Sequence, residues 1–316
     1  MISVSHVVPS ETNVLLLLGG KSGERDISMS TGAAVSQALK RKGFNVTELD
    51  TATEGALAFI ESAKPDVVFN CLHGRYGEDG TIQGVCELLG LPNTGSGLLS
   101  SALAMDKARA KTMYASADLL TPSGVSLEYG EDYDVEEIAG IVGIPCVVKP
   151  SREGSALGVK IIRDAANLAN AIEEVFKIDN EILIEEMIQG TEVTVGVLGN
   201  KEIEALPVIE IVPENEFYDF DAKYRPGASR HIIPARISDE LNEECKRIAL
   251  EAHRVLGCRG VSRSDLIITA EGECYLLETN TIPGMTATSL LPDAARNVGI
   301  EFDDLCELLL NLALED

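Results

Sequence analysis

Four polar side chains near the end of the chain have the types and the spacing to hold a divalent metal ion. They lie within the sequence RSDLIITAEGECYLLETNTIPG, in which two short apolar runs flank Glu271-Gly272. Short β-rich runs around such a dipeptide predict a hairpin with a two-residue turn. In that register Asp265 lies opposite Glu278, and Arg263 lies opposite Asn280.

The predicted register places these four side chains on one patch, because opposed residues and residues two apart share a face. Two carboxylates and an amide oxygen are hard ligands that suit Mg²⁺, which completes its shell with water and substrate phosphate. An arginine beside them suits an anion that the metal also contacts. The alternative is a surface hairpin with a solvated charge cluster. Four such residues in register, followed by Pro283-Gly284, favour the metal site.

The composition limits the classes of function. The chain has 316 residues, of which 45% are hydrophobic, so it is long enough for a buried core. A net charge of −25 argues against nucleic-acid or membrane binding, although such acidity also suits solvation in salt. A polyphosphate ligand would therefore need local Lys, Arg or metal ions. Seven scattered cysteines fit a reduced cytoplasmic protein, and the N-terminus has no signal-peptide pattern.

The first part of the chain alternates strands and helices, which predicts a parallel sheet with helices on both faces. A glycine-rich turn, GGKSGERD, follows the first strand. Its spacing is not that of a dinucleotide-binding loop, and the alternative is a substrate loop at the carboxyl ends of the strands. The predicted elements are the strands Val14–Leu18, Phe44–Leu49 and Asp66–Asn70 and the helices Ser28–Lys42, Glu54–Ala63 and Thr81–Leu89.

Two further loops and one helix carry candidate binding residues. His73 lies in the glycine-rich loop CLHGRYGEDG at a predicted strand end, where an incidental and a functional role are equally open. A single helix is predicted over Ser100–Leu119, with Lys111 on its solvated face. The small-residue loop Ser151–Gly158 joins a strand that ends at Lys149 to the next strand, so its backbone amides can close over phosphates.

A third module follows, with predicted strands Val193–Leu198 and Glu204–Ile211 and a helix over Leu241–Leu256. Before that helix, Pro213–Ala235 has charged and aromatic residues without a regular period, which is typical of a lid or of disorder. Its aromatic residues and Lys223-Tyr224 favour a lid. We therefore expect this segment to be mobile without ligand and ordered with it, a difference that hydrogen exchange can measure.

Eight motifs occur in order along the chain: GGKSGERDIS, LHGRYGEDGTIQG, MDKARAK, VVKPSREGSALGV, IEEMIQGTE, FYDFDAKY, GCRGVSRSDL and LLETNTIPGMTATSLLP. Together they resemble the D-alanine–D-alanine ligases of the ATP-grasp superfamily, from Val14 to the last helix. The resemblance implies an α/β protein: a Rossmann-like N-terminal parallel-sheet domain, then a two-subdomain ATP-grasp fold of the α+β kind. The implied domains are residues 1–97, 98–190 and 191–316, the last with a lid at 213–235 and a metal hairpin at 263–284.

The resemblance implies a binding site for ATP. Lys107 and Lys149 would hold the α- and β-phosphates. The loop that carries Ser155 would close over them, and Lys223 would reach the γ-phosphate. The other implied contacts are Glu185, Glu186 and Ile188 at the adenine edge, Glu192 at the ribose, and Asp265, Glu278 and Asn280 on two Mg²⁺ or Mn²⁺ ions, with Glu278 bridging them.

The resemblance also implies two amino-acid sites. Glu24 would bind the ammonium of the first D-alanine, with His73 near the carboxylate of that substrate. Ser155 and Tyr224 would hydrogen-bond to Glu24 and latch the lid. The remaining implied residues are Arg263 and the Gly284 amide at the tetrahedral oxyanion, and Ser289 and Leu290 at the second D-alanine.

The implied reaction is the ATP-dependent joining of two D-alanines through a D-alanyl phosphate, for peptidoglycan precursor synthesis, in a cytoplasmic homodimer. D-Lactate or D-serine as the second substrate is an alternative. His231 in the lid would favour D-lactate, whereas Lys223-Tyr224 in the matching motif position favours the dipeptide. Another acid–amine ligase would not need Glu24, Ser155 and Tyr224 together. A nucleotide-binding regulator without catalysis is a further alternative, against which the intact metal hairpin argues.

Overall fold

The computed structural model describes residues 7–213, 229–286 and 288–315. Within these ranges the strands form three sheets, and each sheet takes its strands from a separate segment of the chain. The strands are β1 (Asn13–Leu18), β2 (Asn45–Asp50), β3 (Val67–Asn70), β4 (Gly124–Glu128), β5 (Cys146–Pro150), β6 (Lys160–Ile162), β7 (Glu181–Glu186), β8 (Thr191–Gly199), β9 (Ile203–Ala205), β10 (Ile209–Pro213), β11 (Ser229–Ile232), β12 (Gly260–Ile268) and β13 (Cys274–Asn280). The α-helices are α1 (Arg25–Arg41), α2 (Ala56–Ala63), α3 (Thr81–Leu88), α4 (Leu98–Met105), α5 (Lys107–Ser116), α6 (Val135–Val142), α7 (Leu168–Val175), α8 (Asp239–Val255), α9 (Leu290–Asn297) and α10 (Phe302–Ala313).

The first sheet is parallel, as predicted, with β1 between β2 and β3. The apolar residues of β1 are all buried, as expected for a parallel strand that is covered on both faces. The carboxyl ends of these strands lie at one edge, where the loops after β1 and β3 meet. There the Ser22 hydroxyl donates a hydrogen bond to the His73 carbonyl at 2.7 Å. This contact brings the two glycine-rich loops of the sequence together.

The second sheet is antiparallel, with the strand order β4-β7-β5-β6. One face packs on α6 and α7 through a core that includes Val148 and Ile184. Val147 pairs with Glu185, and Lys149 pairs with Leu183. Because side chains alternate between the faces of a strand, Lys149 and Glu185 are diagonal neighbours on the face opposite this core.

The third sheet has the strand order β11-β10-β8-β12-β13, with β9 paired to β8. The strand predicted over Glu204–Ile211 is wrong in extent, because the chain forms β9 and β10 on either side of residues 206–208. Pro207 lies in that gap and has no amide hydrogen to continue a strand ladder. Helix α8 covers the sheet, and its Ala252 shares a core with Val195 of β8.

The hairpin predicted from the sequence is the antiparallel pair β12–β13. Asp265 pairs with Glu278, and Arg263 pairs with Asn280, so both predicted cross-strand pairs are confirmed. Strand β12 also pairs with β8 along its whole length, which makes it an interior strand of the third sheet. The four side chains are therefore fixed on an element whose backbone is hydrogen-bonded on both sides.

The turn of this hairpin is longer than the predicted two residues. Thr269 donates its amide to the Glu273 carbonyl at 2.9 Å, and Gly272 in the loop between them has φ = +88°. The longer turn moves the strand register by one residue. A β-bulge next to Asp265, with Leu277 as the extra residue, moves it back. The predicted pairing at the site is therefore correct although the predicted turn is wrong.

The single helix predicted over Ser100–Leu119 is also wrong, because α4 and α5 are separated at Asp106. Asp106 has an extended backbone and is the N-cap of α5, where its carboxylate accepts a hydrogen bond from the Arg109 amide at 3.1 Å. The Ser151 hydroxyl donates to the same carboxylate at 3.2 Å. The break makes Lys107 the first residue of α5 and ties this helix end to the loop after β5.

The C-terminal helix α10 packs against the first sheet and α1. Its Leu305 and Leu309 share a buried core with Val35 and Leu39. This helix also contacts β12, so it packs between the first sheet and the third. None of the helices in the described ranges is both long and apolar enough to cross a membrane.

Candidate active site

Two adjoining pockets bring the predicted site residues together. The first lies where the loops after β1 and β3 approach the β12–β13 hairpin and the start of α9, and the second lies between the second and third sheets. Both are lined by Lys107, Gly154, Ser155 and Glu278, so the pockets meet at these residues. The other predicted residues that line them are Glu24, His73, Arg263, Asn280, Gly284, Ser289 and Leu290 in the first, and Lys149, Glu185, Glu186, Ile188, Glu192 and Asp265 in the second.

Asp265 is held from two sides. The Arg263 guanidinium donates to both of its carboxylate oxygens, at 2.9 and 2.8 Å. The Thr194 hydroxyl donates to Oδ1 at 2.5 Å. Across the strand pair, the Glu278 carboxylate lies 3.6 Å from the Lys107 ammonium. Each of these two carboxylates therefore has a cationic side chain beside it, Arg263 at Asp265 and Lys107 at Glu278.

The donor set at the hairpin fits a divalent metal ion. Asp265 and Glu278 offer carboxylate oxygens, and the Asn280 side-chain oxygen accepts the Ile282 amide at 2.8 Å, which fixes its direction. An ionised carboxylate has about four lone-pair sites, so the Arg263 fork leaves Asp265 able to bind a cation. No group of three His, Cys, Asp or Glu side chains in the described ranges could hold a metal. The oxygen donors that the hairpin pairing brings to this place are two carboxylates and one amide.

The loop at residues 151–158 is fixed at the junction of the pockets. The Lys107 ammonium donates to the Glu153 carbonyl at 2.7 Å. Ser155 and Ala156 have φ values of +52° and +57°, a left-handed conformation that costs free energy for residues other than glycine. The Ser155 hydroxyl donates to the Glu24 carboxylate. The loop is thus attached to α5 on one side and to the first sheet on the other.

Glu24 lies between two glycine-containing loops. A Cβ atom on Gly74 would lie 2.4 Å from its carboxylate, and one on Gly154 would lie 3.1 Å from it. Glycine at Gly74, where φ is +67°, permits both the backbone conformation and the close approach. The predicted contact between Glu24 and Ser155 is present, whereas Tyr224, the third member of that set, lies outside the described residues. Lys223 lies there too. The prediction of an irregular lid over residues 213–235 is wrong at residues 229–232, which form β11 against β10. For residues 214–228 the mobile lid stays a prediction.

His73 is a buried part of the wall of the first pocket. Its Nδ1 lies 3.0 Å from the Glu78 carboxylate, and its Nε2 lies 3.2 Å from the Thr31 hydroxyl. Both ring nitrogens therefore have protein partners that fix the orientation of the imidazole. Glu78 also lines the pocket. The sequence gives no separate indication of Glu78, because the loop that carries it has no regular period.

The Glu185 carboxylate contacts two ammonium groups, those of Lys149 and Lys111. The prediction of a solvated Lys111 is wrong, because only 11% of its side chain is exposed. Burial lowers the pKa of Lys111 to about 8, with Glu185 acting in the opposite direction. Burial alone would raise the pKa of Glu185, but Lys149 and Lys111 outweigh it and hold that pKa below its usual value. The spacing of Lys107 and Lys111, one helical turn apart, was the available signal for Lys111.

The far end of the first pocket is formed by the start of α9. The Thr286 amide donates to the Ser289 hydroxyl at 3.1 Å, and a Cβ atom on Gly284 would lie 3.0 Å from that hydroxyl. Leu290 is the first residue of the helix, so its backbone amide is one of those that lack a partner within the helix. Such an end suits a carboxylate ligand.

His231 lines the first pocket together with Ser289 and Arg263. The sequence suggests it only as the alternative to Tyr224 that would favour a hydroxy acid as second substrate. Its Nδ1 lies 2.8 Å from the Asp293 carboxylate, which Arg296 also contacts at 2.8 Å. Burial raises the pKa of Asp293, but the hydrogen bonds from His231 and Arg296 outweigh it and lower that pKa. The placement of His231 depends on the pairing of β11 with β10, for which the sequence has no short-range signal.

Two family models match the chain, the D-ala D-ala ligase N-terminus over residues 51–96 and the D-ala D-ala ligase C-terminus over residues 123–311. The D-alanine–D-alanine ligase of Geotalea uraniireducens is 49% identical to it over 298 residues, which cover 94% of each chain. The chain belongs to the D-alanine–D-alanine ligase family. The ligase of Carboxydothermus hydrogenoformans is 45% identical, over 95% of this chain and 97% of that relative.

Solved structures of this family have the same fold. The Bacillus anthracis D-alanine–D-alanine ligase in complex with ATP has a TM-score of 0.84 and 32% identity, covering 96% of this chain and 97% of that one. The D-Ala:D-Ser ligase VanG of Enterococcus faecalis has a TM-score of 0.82 and 31% identity, covering 96% and 99%. These comparisons confirm the predicted family, its Rossmann-like and ATP-grasp architecture, and its ligase class.

Proposed function

We propose that this protein joins two D-alanines into D-alanyl-D-alanine, with conversion of ATP to ADP and phosphate, for peptidoglycan precursor synthesis. The observation that carries this proposal is the meeting of the two pockets at Lys107, Ser155 and Glu278. Transfer of a phosphoryl group from a nucleotide to an amino acid needs both ligands at one junction, with cations there to offset charge. The D-alanine–D-alanine ligases that match nearly the whole chain support the choice of substrates.

The second pocket is the proposed ATP site. Lys107 and Lys149 supply cations for the α- and β-phosphates, and the loop that carries Ser155 covers them. The ATP complex of the Bacillus anthracis ligase supports ATP as the co-substrate. The other proposed contacts are Glu185, Glu186 and Ile188 at the adenine edge, Glu192 at the ribose, and Lys223 at the γ-phosphate.

Two Mg²⁺ or Mn²⁺ ions are the proposed cofactors, with Asp265, Glu278 and Asn280 as their ligands. Glu278 lines both pockets, which supports it as the ligand that the two ions would share. When bound, such ions neutralise the charge on the transferring phosphoryl group. The protein contributes the fixed direction of these oxygens, since the β12–β13 pairing holds all three residues in one register.

The first D-alanine is proposed to bind with its ammonium on the Glu24 carboxylate and its own carboxylate near His73. The Ser155 hydroxyl keeps Glu24 directed into the pocket. A carboxylate is a poor acyl donor, so its oxygen first attacks the γ-phosphorus of ATP. The P–O bond to ADP breaks, and the substrate becomes a D-alanyl phosphate with a better leaving group.

The second D-alanine is proposed to bind with its carboxylate at the Ser289 hydroxyl and the Leu290 amide. Its unprotonated amine attacks the carbonyl carbon of the acyl phosphate, and the C–O bond to phosphate breaks after a tetrahedral intermediate. Arg263 and the Gly284 amide stabilise the negative oxygen of that intermediate. An acyl phosphate hydrolyses easily, so we assign residues 213–235 the role of a lid that excludes water, latched through Tyr224.

A D-alanine–D-lactate or D-alanine–D-serine ligase is the second candidate function, and the similarity to VanG favours keeping it. Supplied with D-alanine, D-lactate and D-serine in competition, between about pH 6 and 9, the enzyme is expected to make D-alanyl-D-alanine throughout. The yield should increase toward alkaline pH, because an amine attacks only when unprotonated. Chromatographic separation of the products measures the ratio.

A His231→Gln variant is the matched control for this competition. Because Tyr224 occupies the lid position of the dipeptide-forming motif, the variant is expected to keep the wild-type product ratio. Dominant D-alanyl-D-lactate at acidic pH, lost in the variant, would contradict the assignment and make His231 the specificity residue. Dominant D-alanyl-D-serine would make the protein a D-serine ligase.

The domain organisation and assembly complete the proposal. Residues 1–97, 98–190 and 191–316 are the proposed domains, supported by the three separate sheets. By packing, however, α4 and α5 belong with the third sheet, since Ala104 and Tyr114 share its core. A homodimer is supported by the adjacent helices α3 and α4, where Leu88 is 89% and Leu99 is 67% exposed. A cytoplasmic location is supported by seven buried free cysteines.

A further inference from the structure

Three buried charged side chains, Lys111, Glu185 and Lys149, form a cluster at one side of the proposed ATP site. The Glu185 carboxylate contacts the Lys111 ammonium through one oxygen and the Lys149 ammonium through the other. Its side chain is 3% exposed, and those of the lysines are 11% and 13% exposed. Lys149 and Glu185 line the nucleotide pocket, whereas Lys111 is not among its lining residues in the described ranges. Lys111 therefore contacts a residue of the nucleotide pocket, Glu185, from outside the lining of that pocket.

The net charge of this cluster determines how strongly the Lys149 ammonium can attract a phosphate. Two ammonium groups and one carboxylate carry a net charge of one positive. Without Lys111, Lys149 and Glu185 would form a neutral pair, and a phosphate would have to compete with a buried carboxylate for Lys149. Opposite charges attract strongly where water is excluded, so this competition would weaken phosphate binding. With a pKa of about 8, Lys111 keeps its charge at pH 7.

We propose that Lys111 is a positioning residue that shares the Glu185 carboxylate and so leaves the charge of Lys149 for the nucleotide phosphates. The inference rests on the proposed function, in which Lys149 contacts those phosphates. Lys111 is on α5, whose Tyr114 packs in the core of the third sheet, whereas Glu185 and Lys149 belong to the second sheet. The Lys111–Glu185 contact therefore also connects the two sheets that enclose the nucleotide.

The test compares ADP with adenosine, because only ADP has phosphates for Lys149. In a Lys111→Met variant the inhibition constant of ADP is expected to rise at least about tenfold, the scale of one hydrogen bond to a charged group. The constant for adenosine and the KM for D-alanine should stay near the wild-type values. Lys111→Arg keeps the charge and should retain most of the ADP affinity. Lys160→Met is the matched control. Lys160 lies on β6, in the second sheet with Lys149 and Glu185, and it pairs with Glu174 at the exposed surface.

The double variant Lys111→Met with Glu185→Gln separates positioning from simple structural support. It removes both charges, a change that buried pairs tolerate better than the loss of one partner. Because the neutral amide introduced by Glu185→Gln no longer competes for Lys149, the preference for ADP over adenosine should recover relative to Lys111→Met. The ratio is compared because Glu185 is also proposed to contact the adenine of both ligands. Equal losses for ADP and adenosine in Lys111→Met, or no recovery in the double variant, would overturn the proposal. Melting temperatures of all variants identify any that fail to fold.

The proposed function has a separate readout in the same experiment. D-Alanine-dependent turnover by the wild-type enzyme tests the ligase activity, whereas the ADP and adenosine constants test Lys111. A wild-type protein that binds ADP but forms no dipeptide would contradict the function alone. A wild-type protein that binds ADP no better than adenosine would overturn the role of Lys111, because Lys149 would then contribute nothing to phosphate binding.

Discussion

The Glu278→Gln variant is expected to lose ~10³-fold or more in turnover, above the effect of one oxyanion donor, while it keeps the wild-type fold. Glutamine has the shape of glutamate, so the pairing of β12 with β13 can persist. The substitution removes the charge that lies 3.6 Å from the Lys107 ammonium and that is proposed to bridge two metal ions. ADP release at increasing Mg²⁺ and at increasing Mn²⁺ measures the effect, and melting temperature reports the fold.

Glu273→Gln is the matched control for this prediction. Glu273 is on the same hairpin, close to its turn, and its side chain is exposed. It lines neither of the two pockets that form the site. The control is expected to have wild-type turnover and wild-type metal dependence. Near wild-type turnover of Glu278→Gln at ordinary Mg²⁺ would remove Glu278 from the metal site.

Removal of the Arg263 guanidinium, as in Arg263→Met, is expected to lower kcat roughly 10²–10³-fold. This corresponds to an activation free energy higher by roughly 2.7–4 kcal/mol, the scale known for one oxyanion donor. The KM for ATP should change less, because the tetrahedral oxyanion forms after ATP has reacted. The substitution should also affect stability, because Arg263 donates to both oxygens of the buried Asp265. Loss of that fork leaves Asp265 with the Thr194 hydroxyl, so some loss of stability is also expected.

Two measurements separate these effects of Arg263. Steady-state kinetics gives kcat and KM for ATP, and thermal unfolding gives stability. Arg247→Met is the matched control, because Arg247 forks on Glu244 with both side chains exposed, and the variant should lose little kcat or stability. A rise in KM with unchanged kcat would mean that Arg263 contributes uniform binding, and would contradict the oxyanion role.

The cross-strand pairs of the metal hairpin are predicted correctly, although the predicted turn length is wrong. A two-residue turn places Asp265 opposite Glu278, whereas the turn is longer and the bulge at Leu277 compensates. The bulge places Leu277 and Glu278, which are consecutive, on the same pocket. Strand β12 also pairs with β8, a contact between distant segments that local patterns do not reveal.

The errors at α4–α5 have a similar origin. No glycine or proline interrupts the sequence around Asp106. The Asp106 carboxylate, which caps α5, also accepts a hydrogen bond from Ser151, which is distant in sequence. The burial of Lys111 depends on Glu185, on a strand of another sheet. The site residues converge only when all three sheets have packed together, so local sequence patterns do not identify them. The resemblance of the motifs to a known family identified them instead. It did not extend to His231 or Lys111, which lie outside the roles that the motifs imply.

The most direct test of the central claim is the release of ADP in the presence and absence of D-alanine. With Mg²⁺ and ATP, this protein is expected to release ADP and phosphate only when D-alanine is present, in amounts equal to the dipeptide formed. The coupling follows from the shared junction of the two pockets, where the nucleotide and the amino acid must both be bound for phosphoryl transfer. ADP release that does not depend on D-alanine, or nucleotide binding without any ADP release, would contradict a D-alanine–D-alanine ligase.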